Sequence, residues 1–237
     1  MKAISLFSGM GGDTLGLEKA NFEVIAFNDF NKKAIETHIC NFKNSKLIHP
    51  SILDISKIPD ETFLDYSGEI NLIFAGFPCQ GFSHGGKKLP DDPRNTLFRH
   101  FVRSAELIQP EFIIGENVEG LLSRKTASDE NYIDVIRMSF EEIGYNITFK
   151  VIHAVECGVP QLRKRLIIVG VHKSLDYNYI FPEVDVRPEY IDIEPTLKNA
   201  IKIPWGKLPL AMNVTHVDYY DLSGEVHPYV RSILNKD

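Results

Sequence analysis

The chain has 237 residues, 43% of them apolar, and a formal net charge of −6. That suffices for one large folded domain, or one domain with an appendage, and it excludes disorder along the whole length. No apolar run approaches the ~20 residues that cross a membrane as a helix, and an acidic total argues against a self-sufficient nucleic-acid binder, because phosphate contacts need a cationic face.

Ala3 to Phe7 reads as a strand that begins without any signal-peptide pattern, so a cytoplasmic location is expected. Ser8-Gly9-Met10-Gly11-Gly12 comes next and opens a helix. Glycines there let backbone amides approach a ligand closely at a helix start. Phe22 to Asn28 reads as a second strand, closed by Asp29, where a carboxylate can accept hydrogen bonds from ribose hydroxyls. Together the loop and the acid suggest a nucleotide-like cofactor, although the loop alone reads equally well as a tight strand-to-helix turn. The third glycine of the dinucleotide fingerprint falls on Thr14, which disfavours a pyrophosphate and favours a cofactor with one adenosine. S-adenosylmethionine is such a molecule, and Phe7 and Phe30 supply aromatic surfaces on either side.

Asn71 to Phe77 reads as the next strand, and Pro78-Cys79 ends it in the crevice where α/β sheets place their chemistry. Ser83 to Asn95, with Gly85, Gly86, Pro90 and Pro93, has no periodicity and reads as a loop. Thr96 to Ile108 carries Leu97, Phe101, Ala105 and Ile108 at helical spacing. Phe112 to Gly115 is a further strand, with Glu116-Asn117-Val118 at its end, so that a carboxylate points into the crevice that receives the thiol. Asn131 to Ile143 is helical, with Gly144 as its cap. Gln161-Leu162-Arg163-Lys164-Arg165 sets Arg163 and Arg165 on one face at the start of a strand that runs to Val171.

These elements predict an α/β, doubly wound, mostly parallel sheet. From about Asp176 the texture changes to short apolar pieces punctuated by Pro182, Pro188, Pro195, Pro204, Pro209 and Pro228. The expected division is therefore a catalytic and cofactor-binding domain over residues 1–175 and a proline-rich extension over 176–237. Cys40, Cys79 and Cys157 are odd in number and widely spaced, which suggests neither a disulfide framework nor a metal site.

Seven motifs stand in a recognisable order: Leu6-Phe7-Ser8-Gly9-Met10-Gly11-Gly12, Asn28-Asp29-Phe30, Leu53-Asp54-Ile55, Gly76-Phe77-Pro78-Cys79-Gln80-Gly81-Phe82-Ser83, Asn95-Thr96-Leu97-Phe98, Glu116-Asn117-Val118 and Gln161-Leu162-Arg163-Lys164-Arg165. The ordered set resembles the cytosine-C5 DNA methyltransferase family from Ala3 to about Val171. Ser5 departs from it, since the family often has an acid there.

The resemblance implies a Rossmann-like fold and methyl transfer from S-adenosylmethionine, without a metal, to C5 of cytosine in DNA. Cys79 is the implied nucleophile, adding to C6 of a flipped-out base, with Glu116 at N3 and the exocyclic amine, Arg165 at O2 and Arg163 orienting nearby groups. The implied cofactor pocket takes Phe7, Gly9, Met10 and Gly12 from the first motif, Asp29 and Phe30 from the second, Asp54 and Ile55 from the third, and Pro78 and Leu97 beyond it. Gln80, Ser83, Lys87, Lys88 and Asn117 are implied on the DNA side.

The family's target-recognition region, arginine-rich helix and Gly-Asn segment are not found between Asp176 and Asp237, which looks like the start of an incomplete recognition region. The chain accordingly resembles the catalytic subunit of a split enzyme, with double-stranded DNA and a second polypeptide as partners. A truncated product, a non-catalytic S-adenosylmethionine-binding regulator and a tRNA cytosine-C5 methyltransferase remain alternatives.

Overall fold

Strands buried on both faces organise the chain. In the computed structural model, which describes residues 1–78, 97–126, 129–157 and 163–182, β1 (Lys2–Leu6) sends Ile4 and Leu6 to one face and Ala3 to the other. Side chains alternate along a strand, so a run of apolar residues feeds two cores at once. Around β1 lie β2 (Glu23–Asn28), β3 (Lys46–Leu47), β4 (Leu72–Ala75), β5 (Phe112–Val118), β6 (Tyr145–His153) and β7 (Lys164–His172). Among the described residues these form one sheet in the order β3-β2-β1-β4-β5-β7-β6. The pairs β1–β2, β2–β3, β1–β4 and β4–β5 are parallel, as the alternating strand and helix patterns predict.

Parallel neighbours require crossovers, and α1 (Gly12–Lys19), α2 (Lys32–Asn41), α3 (Asp60–Leu64), α4 (Phe98–Ile108) and α5 (Tyr132–Glu142) lie in the connections between strands. The larger core sits on one face, where Phe63 of α3, Phe101, Ala105 and Ile108 of α4, and Ile133, Ile136 and Phe140 of α5 pack with Ile73, Ala75 and Ile113 of the strands. A smaller core joins Leu17 of α1 to Ala3, Val24 and Leu72. Helix packing on both faces makes the fold a doubly wound α/β fold. None of the described helices is long and apolar enough to cross a membrane.

Local chemistry explains the helix ends. The Asn31 side chain accepts from the backbone N–H groups of Lys33 and Ala34 and starts α2. α5 stops before Gly144, whose φ of +96° suits glycine, and the Lys173 ammonium donates to the Glu141 carbonyl there. Two strands lie outside those expected from the sequence. β3 is only two residues long, too short to show a period, whereas β6, last in the sheet order and half-buried along most of its length, does alternate Tyr145, Ile147, Phe149 and Val151 with Asn146, Thr148 and Lys150. β5 also runs on past Gly115, so Glu116 and Asn117 are strand residues.

By packing, Met1–Val151 and Leu166–Phe181 form one unit and Ile152–Arg165 belongs to a second. In the first, Tyr145 is buried and its hydroxyl donates to the Pro110 carbonyl at 2.7 Å. Burial raises the Tyr145 phenol above its ordinary range, so it stays a donor at every working pH. Tyr145→Phe should therefore cost about 1–2 kcal/mol, the penalty of an abandoned buried acceptor. Urea denaturation at pH 7 measures it, and an unchanged midpoint would mean that the bond contributes nothing.

Candidate active site

The chain leaves β1 towards β2 and β3, then returns to β4 on the other side, so the carboxyl ends of β1 and β4 flank a topological switch point. Such ends open the crevice in which α/β sheets bind ligands. Residues 7–12 follow β1, Asp29 follows β2, and residues 76–78 follow β4.

At the first of these ends the backbone turns sharply. Phe7 has a φ of +56°, an unusual conformation for a residue with a side chain, and the Ser8 N–H donates to the Asn28 carbonyl. The buried Asp29 carboxylate then pins the loop: one oxygen accepts from the Gly9 N–H at 2.9 Å and the other from the Asn31 N–H at 2.8 Å. A carboxylate accepts about four hydrogen bonds, so Asp29 keeps capacity for ligand hydroxyls. Gly9 has open space where a side chain would stand, whereas a Cβ on Gly11 would overlap the Phe42 ring and come within 3.1 Å of His38.

His38 lies fully buried beneath this loop. It stacks on Phe27 with centroids 3.6 Å apart, and its Nδ1 is 3.3 Å from the Ser8 hydroxyl. Burial pushes the imidazole down to about 4, against the pull of the Asp29 charge, so the ring is neutral at pH 7. The serine at position 5 also finds its explanation here, because its hydroxyl donates to the Asp13 carboxylate at the start of α1. An acid thus still reaches the strand end, from the helix side. Burial raises the Asp13 carboxyl, with the Ser5 bond opposing.

The third wall hangs from the second. The buried Asn28 amide donates to the Leu53 carbonyl at 3.0 Å, which fixes the segment that carries Asp54 and Ile55. Asp54 caps a short 3-10 turn, Ile55–Lys57, with one oxygen accepting from the Ser56 N–H and hydroxyl. Those bonds, the hydroxyl's first, hold its carboxyl below the ordinary range. Ile55 is buried, and Leu97 at the start of α4 packs against the same core. Half-buried His100 on α4 is lowered first by burial and then by the Arg103 charge, while Asp54 pulls the other way.

On the β4 side, the buried Asn117 amide donates to the Phe77 carbonyl at 3.1 Å, and Asn117 accepts from the Val118 N–H. Asn117, expected on the DNA side, is thus engaged beneath the turn that leads to Pro78. Glu116 Oε2 lies 3.9 Å from where a Gly76 side chain would begin, and the Phe7 carbonyl is equally near that point. Both are ordinary contact distances, so they place the carboxylate beside the end of β4 and the first loop. The structure therefore brings Phe7, Gly9, Asp29, Pro78 and Glu116 to neighbouring strand ends. Cys79, Gln80, Ser83, Lys87 and Lys88 lie outside the described residues. Arg163 and Arg165 belong to the second unit, where Arg163 is exposed, its carbonyl accepts from the Ala154 N–H, and Arg165 donates to the Lys164 carbonyl.

The first unit fits an adenosine-bearing cofactor. Phe30 is 72% exposed and Met10 66% exposed, apolar surface standing directly beside a buried carboxylate and an open glycine loop. An aromatic face suits adenine, a carboxylate suits ribose hydroxyls, and the loop amides suit a polar tail. His38, Arg103 and Asp13 escaped the sequence reading, and Asn28 and Ser5 were noted there without these roles, because each acts through a partner that only the fold brings near.

Comparison with known proteins agrees. The model for C-5 cytosine-specific DNA methylase matches residues 1–223. Type II methyltransferase M.FnuDI of Fusobacterium nucleatum is 41% identical over 184 residues, 77% of this chain and 50% of that protein. Type II methyltransferase M.BsuRI of Bacillus subtilis is 36% identical over 210 residues, 77% of this chain and 46% of the other. The chain thus spans about half the length of the curated relatives it matches. A solved E. coli structure described as a prophage-encoded DNA modification methyltransferase superposes with a TM-score of 0.63 at 32% identity, over 76% of this chain and 49% of that one. The S. pombe Dnmt2 methyltransferase, at 20% identity and a TM-score of 0.58 over 76% and 51%, shares the fold.

The glycine loop generates two expected outcomes. Gly11→Ala combines a φ of +92° with steric overlap and should cost about 2–4 kcal/mol; Gly9→Ala meets no atom and should cost only ~1 kcal/mol. Equal losses in urea denaturation would contradict this packing. Acidification should also act through His38: its folded pKa is depressed, so the unfolded chain binds the extra proton as the pH falls from about 6.5 towards about 4, and stability declines across that window. The loss should be about 1–2 kcal/mol after allowance for screening, and His38→Asn should flatten that part of the stability–pH curve.

Proposed function

The chain belongs to the C-5 cytosine-specific DNA methylase family, and from that premise we propose that it transfers a methyl group from S-adenosylmethionine to C5 of cytosine in double-stranded DNA. What carries this reading is the Glu116 carboxylate beside Gly76, at the strand end that leads through Phe77 and Pro78 to Cys79. Residues 1–175 form the catalytic domain in this proposal, and 176–237 the extension towards target recognition.

The residue types suit the chemistry. C5 of cytosine is too electron-poor to attack a methyl donor unless a nucleophile first adds at C6. The Cys79 thiolate forms the S–C6 bond, and the C5=C6 electrons become available at C5 as an enamine. A free thiol, with a pKa of ~8.5, is mostly protonated at pH 7, and Arg163 and Arg165 are the cationic groups assigned to lower it. Glu116 relieves charge at N3 by hydrogen bonding or proton donation, and Arg165 holds the O2 edge. S-adenosylmethionine, when bound, supplies the electrophilic methyl group. The C5 proton then leaves, the S–C6 bond breaks, and Cys79 is released.

Asp29, Phe30, Asp54 and Ile55 are assigned to the adenosine end of the cofactor, Phe7, Gly9, Met10 and Gly12 to its loop side, and Pro78 and Leu97 to the remaining wall. A stacked base cannot reach Cys79, so the target is flipped out; Gln80 and Ser83 are assigned to the nucleotide backbone and Lys87 and Lys88 to phosphate. Asn117 supports the turn before Cys79 from below. A net charge of −6 supports a further reading, in which a second polypeptide supplies the cationic recognition surface.

Labelled S-adenosylmethionine and cytosine-containing duplex DNA test the proposal, with the chain alone and with the product of an adjacent reading frame. Cys79→Ser should abolish transfer while leaving S-adenosylhomocysteine binding intact, and Glu116→Gln should slow it by roughly 10²–10⁴-fold. Full activity in Cys79→Ser would overturn the mechanism. Activity of the chain alone would remove the need for a partner, and preference for tRNA over duplex DNA would reassign the substrate.

A further inference from the structure

Arg103 lies on α4, outside every motif that the sequence singles out, yet it reaches the loop that carries Asp54 and Ile55. Its Nη2 donates to the Ile55 carbonyl at 2.9 Å and to the Ile58 carbonyl at 3.0 Å. Nη1 lies 3.4 Å from Asp60 Oδ1, and the guanidinium sits 5.1 Å over the Phe63 ring. One planar cation therefore joins α4 to both ends of the 3-10 turn and to the start of α3.

Beyond the core packing of Ile55 and Ile58, the loop has few other hydrogen bonds. Its internal backbone bonds are Lys57 N–H to Asp54 at 2.9 Å and a long Ile58 N–H to Ile55 at 3.4 Å, and the Asp54 side chain is engaged with Ser56. The Asn28 bond to Leu53 anchors it from the front, and Arg103 anchors it from behind. The same helix begins with Leu97 at its N-cap, and His100, one turn before Arg103, feels the Asp54 charge. Two walls of the crevice are thus joined through one side chain, beside the core packing of Ile55 and Ile58.

We propose that Arg103 is a positioning residue for the cofactor: by fixing residues 54–58 against α4 it sets the affinity for the adenosine end of S-adenosylmethionine, an inference that rests on the cofactor reading above. Arginine is required for geometric reasons. Its Nη2 takes both carbonyls while Nη1 faces Asp60 and the planar face lies on Phe63, whereas a lysine ammonium is a point donor that does not do all three.

The test is calorimetric binding of S-adenosylhomocysteine to the wild-type chain, Arg103→Gln, Arg103→Lys and Asp60→Asn, with amide hydrogen exchange on each unliganded protein. Arg103→Gln should weaken binding by about tenfold, the value of one net charge-assisted hydrogen bond, and should speed exchange in residues 54–58 more than elsewhere. Arg103→Lys should fall between it and the wild type. Asp60→Asn should match the wild type, because it removes only an exposed ion pair. A folded Arg103→Gln that binds like the wild type overturns the inference; should that variant not fold, Arg103→Lys with unchanged affinity and exchange does so. A wild-type chain that binds no S-adenosylhomocysteine overturns the cofactor reading itself, and this inference with it.

Discussion

One buried carboxylate holds the crevice open. Asp29 ties the glycine loop after β1 to the start of α2 through two backbone N–H bonds, one to each oxygen. An ionised acceptor of backbone donors makes a stronger bond than a neutral one, and it is the natural device at a point where two loops leave a sheet in different directions. Around it the other distortions become tolerable: Phe7 in the left-handed region, Gly11 pressed on Phe42, and His38 buried as a neutral ring. Such strain persists only where the surroundings over-determine it.

The opposite rim is built on a similar device with different chemistry. A buried amide, Asn117, takes the Phe77 carbonyl that the end of β4 would otherwise leave unpaired, so the backbone before Pro78 is held from below. The neighbouring strand residue, Glu116, then projects beside Gly76. Alternation along β5 produces both results, one residue inward as support and the next towards the crevice. The proposed chemistry needs a carboxyl group that faces the same opening as the nucleophile, and two adjacent parallel strands provide it.

The third wall shows how a short loop acquires rigidity from its neighbours. Residues 53–58 carry too few internal hydrogen bonds to hold themselves, and the Asn28 amide and the Arg103 guanidinium supply the missing ties from β2 and α4. Preorganisation of this kind lowers the ordering cost when a ligand binds. It also couples the segment bearing Asp54 to the helix that begins at Leu97.

Much of this was legible in the residue order. Continuous apolar runs ending in glycine or an acid announced β1, β2 and β4, the helical spacing of Phe101, Ala105 and Ile108 announced α4, and Asp29 and Glu116 were placed at strand ends by chemistry that recurs in α/β folds. The two-residue β3 was not, because it is too short to carry a period, and the edge strand β6 was passed over although Tyr145, Ile147, Phe149 and Val151 alternate with polar residues along it. Nor were the supporting side chains, whose bonds span 25 residues for Asn28, 30 for His38, 40 for Asn117 and 48 for Arg103. By itself the sequence determined which residue types meet the crevice, since local pattern decides where strands end and which residues come directly after them. Only the tertiary structure decided what holds those residues in place, because a hydrogen bond between distant positions leaves no period in the chain.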